Sequence, residues 1–161
     1  MHDLHFQPIG TIHSPHTSLE GMPIQPSGAT EITGTIHILD DFVPGLKDLE
    51  GFSHIILLYA FHASQGFNLE VTPFMDAASR GLFATRAPRR PNPIGLSVVH
   101  LIKRQGSILT IQNVDILDGT PLLDIKPFVP AFDCPQVTAT GWLATRASQS
   151  ETMRSDDRFI P

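Results

Sequence analysis

Residues 81–97 read GLFATRAPRRPNPIGLS, and this stretch says most about how the chain folds. It places three prolines and three arginines between two strand-like runs. Each proline fixes φ near −65° and restricts the residue before it, so residues 90–93 can join neither a helix nor the middle of a sheet. A stiff loop that carries guanidinium groups loses little entropy when it binds an anion. The stretch therefore predicts an anion-binding loop between two β-strands.

The whole chain has the composition of one soluble globular domain. Of its 161 residues, 41% are hydrophobic and 17% are charged, and this length is enough to bury a core. The single cysteine, Cys134, leaves no intrachain disulfide and is typical of a reducing compartment. We find no apolar run as long as a membrane span and no signal-peptide pattern at the N-terminus. The sequence predicts a cytoplasmic protein without membrane contact.

The charges are distributed unevenly along the chain. The formal net charge is −5, but Arg80, Arg86, Arg89 and Arg90 lie in one short stretch. Many of the acidic residues lie elsewhere, in residues 40–50 and 151–157. A local basic region on an acidic protein suits a small anionic ligand or an RNA held at one face. A solvated arginine loop without a ligand is the alternative that charge alone leaves open.

The hydrophobic pattern predicts a chain that is nearly all β. Residues 52–61 form an almost continuous apolar run, which is typical of a strand buried on both faces. Short strands separated by turns indicate an antiparallel β-barrel or sandwich with long loops and little helix. We assign this domain to residues 1–145 and a polar C-terminal tail to residues 146–161. The predicted strands are 4–13, 30–39, 52–61, 69–74, 82–85, 94–102, 108–117, 122–129 and 136–143.

Several common functional motifs are missing from the sequence. It contains no dinucleotide-binding GxGxxG, no phosphate-binding GxxxxGK[ST] and no GxSxG nucleophile motif. The paired histidines near the N-terminus lack the cysteine or carboxylate partners of a structural zinc site. His54 and His62 would lie roughly 26 Å apart in one extended strand, too far for a shared ion. We therefore predict that the protein has no metal site.

Three blocks of the sequence resemble one known family. They are LEGFSHIILLYAFH at residues 49–62, GLFATRAPRRPNPIGLSVV at residues 81–99 and DGTPLLDIKPFVP at residues 118–130. In this order they are similar to the TsaA-like family, also called the TrmO family. The resemblance extends over roughly residues 6–143.

The resemblance implies a fold, a reaction and a cofactor. It implies a single antiparallel β-barrel that uses S-adenosylmethionine to methylate tRNA. The expected target is N6 of N6-threonylcarbamoyladenosine at position 37. It also implies a homodimer with the cofactor near the subunit interface. The residues that match the cofactor positions of the family are Pro23, Gln25, His62, Arg86, Leu96, Asp118, Gly119, Thr120 and Pro121.

The chemistry of these residues fits that cofactor. The Arg86 guanidinium can bind a carboxylate, and Gly95 would let the adenine approach the backbone closely. Many family members have Pro-Arg-Gln where this chain has Pro23-Ile24-Gln25, so one arginine is missing from the cofactor side. Longer members carry a domain after the barrel, where this chain has a short polar tail.

Methyl transfer to N6 also requires a base that accepts the leaving proton and residues that bind the substrate. A base should help to remove the N6 proton, and the candidates are His62, Asp118 and Asp124. The threonyl carboxylate should bind Arg89 or Arg90, so we expect Arg90→Ala to weaken tRNA use and to spare cofactor binding. The complete set of predicted substrate residues is Arg89, Arg90, Asn92 and Lys126.

Two other functions remain open from the sequence. One is a methyltransferase of the same fold that acts on another nucleoside or a small molecule. The other is a non-enzymatic module that binds S-adenosylmethionine. Activity on tRNA distinguishes the first of these from the predicted function, and binding without turnover would indicate the second.

Overall fold

The computed structural model describes residues 4–161, and its centre is a closed antiparallel barrel of six strands. The strands are β1 Gly10–His13, β2 Thr33–Ile38, β3 His54–Ala60, β4 Glu70–Val71, β5 Arg80–Gly81, β6 Ile94–Gln105, β7 Ile108–Gln112 and β8 Thr120–Pro127. The order around the barrel is β1-β2-β7-β6-β3-β8, and β8 pairs again with β1. Strands β4 and β5 form a separate two-stranded sheet. The predicted all-β barrel is confirmed.

Helical structure is short and peripheral. The α-helix α1 covers Pro130–Asp133. Single 3₁₀ turns occupy most of the longer connections between strands. None of the helices in residues 4–161 has the length and apolarity that crossing a membrane requires. The 3₁₀ turns are Pro26–Gly28, Asp40–Leu46, Leu49–Gly51, Leu82–Ala84, Gly141–Leu143, Ala147–Glu151 and Asp157–Phe159.

The barrel interior is filled by alternate residues of its strands. In β3, Ile55, Leu57 and Tyr59 are buried, while the residues between them are only partly covered. Successive side chains of a strand point to opposite faces, so β3 has one fully buried face and not two. Val99 and Leu101 of β6 complete this side of the core.

Two of the predicted strands are wrong, and those at 4–13, 69–74 and 108–117 are shorter than predicted. Residues 136–143 are largely exposed and contain a 3₁₀ turn, because pairing of β1 with β8 closes the barrel and leaves no free edge for another strand. Residues 82–84 form a 3₁₀ turn instead of a strand. The first strand begins only at Gly10, after exposed residues that include Pro8.

The C-terminal segment, residues 141–161, packs against the body of the protein. Ser155 accepts a hydrogen bond from the Gly21 backbone N–H at 2.9 Å and donates its own N–H to the Met22 carbonyl at 2.8 Å. Its hydroxyl donates to the Leu19 carbonyl at 2.6 Å. The Phe159 ring packs edge-on against Phe74, with 5.0 Å between ring centroids. The polar tail therefore contributes to the surface beside the barrel opening.

Asp76 joins this segment to the rest of the chain by ion pairs. Its carboxylate binds Arg80 Nη2 at 2.7 Å and also binds Arg146 of the C-terminal segment. The side chain of Asp76 is only 2% exposed. A hydrogen bond from the Ala78 backbone N–H, followed by those from the two arginines, holds the pKa of this carboxyl far below its usual range.

We expect acid to weaken the attachment of the C-terminal segment. Because the pKa of Asp76 is lowered in the folded state, its contribution is complete above about pH 4 and is lost as the pH falls further. Asp76→Asn should weaken the attachment already at neutral pH. The fluorescence of Trp142, the only tryptophan, reports this because its indole N–H donates to the Ala84 carbonyl at 2.8 Å. We expect a red-shifted emission in Asp76→Asn at neutral pH.

A second substitution in the same segment is the control. Asp157 is exposed and has no ion pair among residues 4–161. Asp157→Asn should leave the emission unchanged. Wild-type emission in Asp76→Asn would show that the ion pairs do not hold the segment.

Candidate functional site

A cavity of about 710 Å³ lies at one end of the barrel. This volume is within the range of about 300–1,000 Å³ that is usual for small-molecule sites. The end of β3 and the beginnings of β6 and β8 meet here, because these strands run antiparallel to their neighbours. Residues 85–93, which we call the arginine loop, and the C-terminal segment form the outer walls. Residues distant in the sequence thus share one binding site.

Six of the nine predicted cofactor residues line this cavity. The loop before β2 supplies two of them, and the others come from the end of β3, the arginine loop, β6 and β8. They are Pro23, Gln25, His62, Arg86, Leu96 and Thr120. The remaining three are not part of the lining: Asp118 and Gly119 form the turn before β8, and Pro121 is the second residue of β8.

Arg86 presents an available cation at the cavity. Its Nη1 donates a hydrogen bond to Gln25 Oε1 at 3.0 Å. Within the described chain, no carboxylate forms an ion pair with Arg86, and its side chain is exposed. A guanidinium oriented by a neutral amide keeps its charge available for an anionic ligand.

His62 is held in the cavity wall by Thr120. The Thr120 hydroxyl donates to the Leu117 carbonyl at 2.6 Å, so its oxygen accepts a hydrogen bond from His62 Nδ1 at 3.3 Å. This arrangement puts the proton of a neutral His62 on Nδ1 and leaves the Nε2 lone pair free. His62 is exposed to solvent.

The two other predicted bases lie away from the cavity. Asp118 accepts hydrogen bonds from the Ser14 backbone N–H and from His13 Nδ1, both at 3.1 Å, and the first of these is the main cause of its lowered pKa. Asp124 forms an ion pair with Lys126 at 2.8 Å. Asp124 pairs with the outward-facing Leu58 of β3. Both carboxylates therefore already have partners elsewhere.

The predicted substrate residues are also divided by the structure. Arg90 lines the cavity, whereas Arg89, Asn92 and Lys126 do not. Arg90 Nη1 donates to the carbonyls of Leu82, Thr85 and Ala87 at 3.4, 3.0 and 3.3 Å. These bonds tie together the loop that carries Arg86. The role of all four residues in substrate binding stays a prediction.

Sequence reasoning missed a buried polar chain that consists of the buried Tyr59 and Ser97 and the half-buried Asp115. Tyr59 and Asp115 line the cavity. The Tyr59 hydroxyl is 3.0 Å from Ser97 Oγ, and Ser97 Oγ donates to Asp115 Oδ1 at 2.7 Å. Tyr59 and Ser97 are 5% and 1% exposed. Burial raises the pKa of Asp115 to about 6. Burial, followed by the nearby Asp115 charge, also raises the pKa of Tyr59. One feature of the sequence could have indicated these hydrogen bonds. Asp115 stands between two apolar residues, Val114 and Ile116, which are both buried in the structure.

Gly95 has a packing role that the sequence did not predict. A Cβ atom at this position would overlap the ring of Tyr59, so the buried tyrosine approaches the Gly95 backbone closely. Ile94, Gly95 and Leu96 also line the cavity, and their contact with an adenine stays a prediction.

The barrel and its cavity define the general class of this protein. It is a small β-barrel protein with a binding cleft at the barrel end, walled by an arginine loop. Residues 11–134 match the tRNA-methyltransferase O N-terminal domain, and the chain belongs to this family. Within residues 4–161, no group of three His, Cys, Asp or Glu side chains is placed to hold a metal ion.

Curated relatives and solved structures agree with this family. A probable S-adenosyl-L-methionine-binding protein of Pyrococcus abyssi is 53% identical over 96% of this chain and 84% of its own length. The tRNA (adenine(37)-N6)-methyltransferase of Escherichia coli is 35% identical over 87% of this chain. The crystal structure of TrmO from Pseudomonas aeruginosa superimposes with a TM-score of 0.73 at 39% identity and covers 88% of this chain. This chain spans 64% of the Escherichia coli protein and 63% of the Pseudomonas aeruginosa chain.

Proposed function

We propose that this protein is an S-adenosylmethionine-dependent tRNA methyltransferase that methylates N6 of an adenosine at position 37. The observation that carries the proposal is the meeting of six predicted cofactor residues around one cavity, although they lie between positions 23 and 120. The family and its relatives support the same activity. The finer substrate, N6-threonylcarbamoyladenosine, is part of the proposal.

The cavity fits the chemical groups of S-adenosylmethionine. The Arg86 guanidinium would bind the carboxylate, and apolar side chains such as Leu96 and Phe83 would contact the adenine. When bound, this cofactor supplies an electrophilic methyl group on a sulfonium. The protein contributes position, because displacement at the methyl carbon requires the accepting nitrogen to lie in line with the sulfur.

The arginine loop supports an RNA substrate. Arg86, Arg89 and Arg90 follow one another closely on a protein whose formal net charge is −5. Phosphates, or the carboxylate of a threonylcarbamoyl group, would bind at such a loop. We propose Arg89 or Arg90 as the partner of that carboxylate, with Asn92 and Lys126 contacting the RNA.

Methylation of defined tRNAs tests the function. The same tRNA is prepared with and without the threonylcarbamoyl group, incubated with protein and cofactor, and digested to nucleosides for mass spectrometry. We expect methylation of the threonylcarbamoylated tRNA alone. Methylation of another nucleoside would indicate a different substrate, and cofactor binding without any turnover would indicate a binding module.

The Arg90→Ala variant tests whether Arg90 binds the substrate or stabilises the loop that carries Arg86. Because Arg90 Nη1 bonds to three carbonyls of the loop that holds Arg86, we expect the variant to weaken cofactor binding about 3- to 10-fold. Calorimetric titration with S-adenosylmethionine measures this. Unchanged cofactor affinity with weaker tRNA use would favour the substrate role that the sequence predicts.

A homodimer in the cytoplasm is part of the same proposal. Leu96 and Ile94 are 48% and 37% exposed on β6, beside the cavity, and exposed apolar residues of this kind support a contact with a second copy. Light scattering of the purified protein tests the dimer, since a monomer at micromolar concentration would contradict it.

A further inference from the structure

The hydrogen bonds of the buried polar chain all point in one direction. Ser97 has one hydroxyl proton, which it donates to Asp115 Oδ1. The Tyr59 hydroxyl must therefore donate to Ser97 Oγ. Asp115 is the final acceptor of this chain. No other residue in the described part of the protein donates a hydrogen bond to its second oxygen, Oδ2.

The surroundings of Asp115 suit a group that receives a proton from a ligand. Asp115 lines the cavity, and burial is the main cause of its raised pKa of about 6. The Ser97 hydrogen bond and the Arg86 charge act in the opposite direction. A carboxyl group of this kind is ionised at neutral pH, yet it holds a proton more strongly than an ordinary aspartate does.

Two carboxylates considered from the sequence are less suited to this task. The pKa of Asp118 is lowered, mainly by the Ser14 N–H, so this carboxylate has a weaker affinity for a proton. Asp124 forms an ion pair with Lys126 and does not line the cavity. Asp115 has no ion pair of its own among residues 4–161 and touches a hydroxyl instead.

We propose that Asp115 accepts the proton of the nitrogen that is methylated, with Ser97 and Tyr59 as positioning residues. The inference rests on the proposed methyltransferase function and identifies its base. The N–H bond breaks and the proton passes to Asp115 Oδ2. The nitrogen lone pair forms the new N–C bond as the methyl carbon leaves the sulfonium, which becomes a neutral thioether. The proton then leaves Asp115 for solvent through the open cavity.

The Asp115→Asn variant is the main test. Asparagine keeps the shape and an oxygen that accepts from Ser97, so we expect a folded protein. We expect its affinity for S-adenosylmethionine, measured by calorimetry, to stay within about 2-fold of wild type. Its turnover of modified tRNA should fall by about 10²- to 10⁴-fold, as is usual for loss of a general base. Asp41→Asn, an exposed aspartate outside the cavity, is the matched control and should keep full activity.

The pH dependence separates the base from a merely structural residue. Wild-type kcat should rise with pH around pH 6 and then stay level, and this rise should vanish in Asp115→Asn. Because the Ser97 hydrogen bond lowers the pKa of Asp115, Ser97→Ala should move the rise to higher pH. A loss of activity with an unmoved pH profile in Ser97→Ala would contradict the positioning role.

Other outcomes overturn the assignment. Wild-type turnover in Asp115→Asn would exclude it as the base, and lost cofactor binding would make it a cofactor ligand instead. If the rise in kcat persists in Asp115→Asn but disappears in His62→Gln, the base is His62. If wild-type protein binds the cofactor but methylates no tRNA, the proposed function itself fails and the assignment fails with it.

Discussion

Arg86→Ala is expected to weaken the binding of S-adenosylmethionine by about 10- to 100-fold. Hydrogen bonds between charged groups contribute about 1.5–3 kcal/mol, and each 1.4 kcal/mol is a tenfold change in affinity. Arg86 lines the cavity with its guanidinium held by Gln25, and within the described chain no carboxylate forms an ion pair with it. Calorimetric titration of wild type and variant measures the change directly.

Two further variants show whether the effect belongs to the guanidinium. Arg89→Ala removes a neighbouring charge that is not part of the cavity wall, so its affinity should stay near wild type. Arg86→Lys keeps the charge but loses the planar pair of donors, and we expect an intermediate affinity. Equal losses in Arg86→Ala and Arg89→Ala would indicate a general effect of the basic loop and would remove Arg86 from the cofactor site.

The barrel could be predicted because its signals are local. Alternating apolar residues and the turns at residues 106–107 and 118–119 indicate strands whatever their partners are. The closure of the barrel is not local, since it depends on β8 pairing with β1 across the whole chain. This closure is why a plausible apolar stretch at residues 136–143 forms no strand: the sheet has no edge left to receive it.

The meeting of the three residues of the buried polar chain could not be predicted for a related reason. Tyr59, Ser97 and Asp115 lie 38 and 18 residues apart, and they meet only because β3 and β6 are neighbours and the segment after β7 turns towards them. Each residue looks ordinary in its own stretch of sequence. The predicted bases Asp118 and Asp124 belong to recognisable blocks, but Ser14, the partner of Asp118, is distant in the sequence and is visible only in the structure.

The C-terminal segment is attached to the rest of the protein by a few specific contacts. Its composition is polar, and no long apolar run predicts that it packs. It is held by Ser155 on the backbone of residues 19–22, by Phe159 on Phe74 and by Arg146 on Asp76. Trp142, Leu143 and Ile160 of this segment line the cavity. Binding of a ligand there should therefore change the emission of Trp142.

Gly95→Ala is expected to lower the free energy of unfolding by about 1–3 kcal/mol, the usual cost of adding a methyl group to a filled interior. The added Cβ would overlap three atoms of the buried Tyr59 ring, and a rigid aromatic ring cannot bend away as a flexible chain end can. Moving the ring would also break its hydrogen bond to Ser97. Urea unfolding of the wild type and the variant measures the loss.

A matched control and a double mutant show whether the ring is the cause. Gly81 has an ordinary φ of −57° and nothing within 4 Å of an added Cβ, so Gly81→Ala should change stability by less than about 1 kcal/mol. In a Tyr59→Ala background the ring is gone, and Gly95→Ala should then cost little. An equal cost in both backgrounds would mean that strain elsewhere, and not the tyrosine, requires glycine here. If the cost disappears with the ring, Gly95 is required because it leaves room for the Tyr59 ring. It then also maintains the hydrogen bonds from Tyr59 to Ser97 and from Ser97 to Asp115.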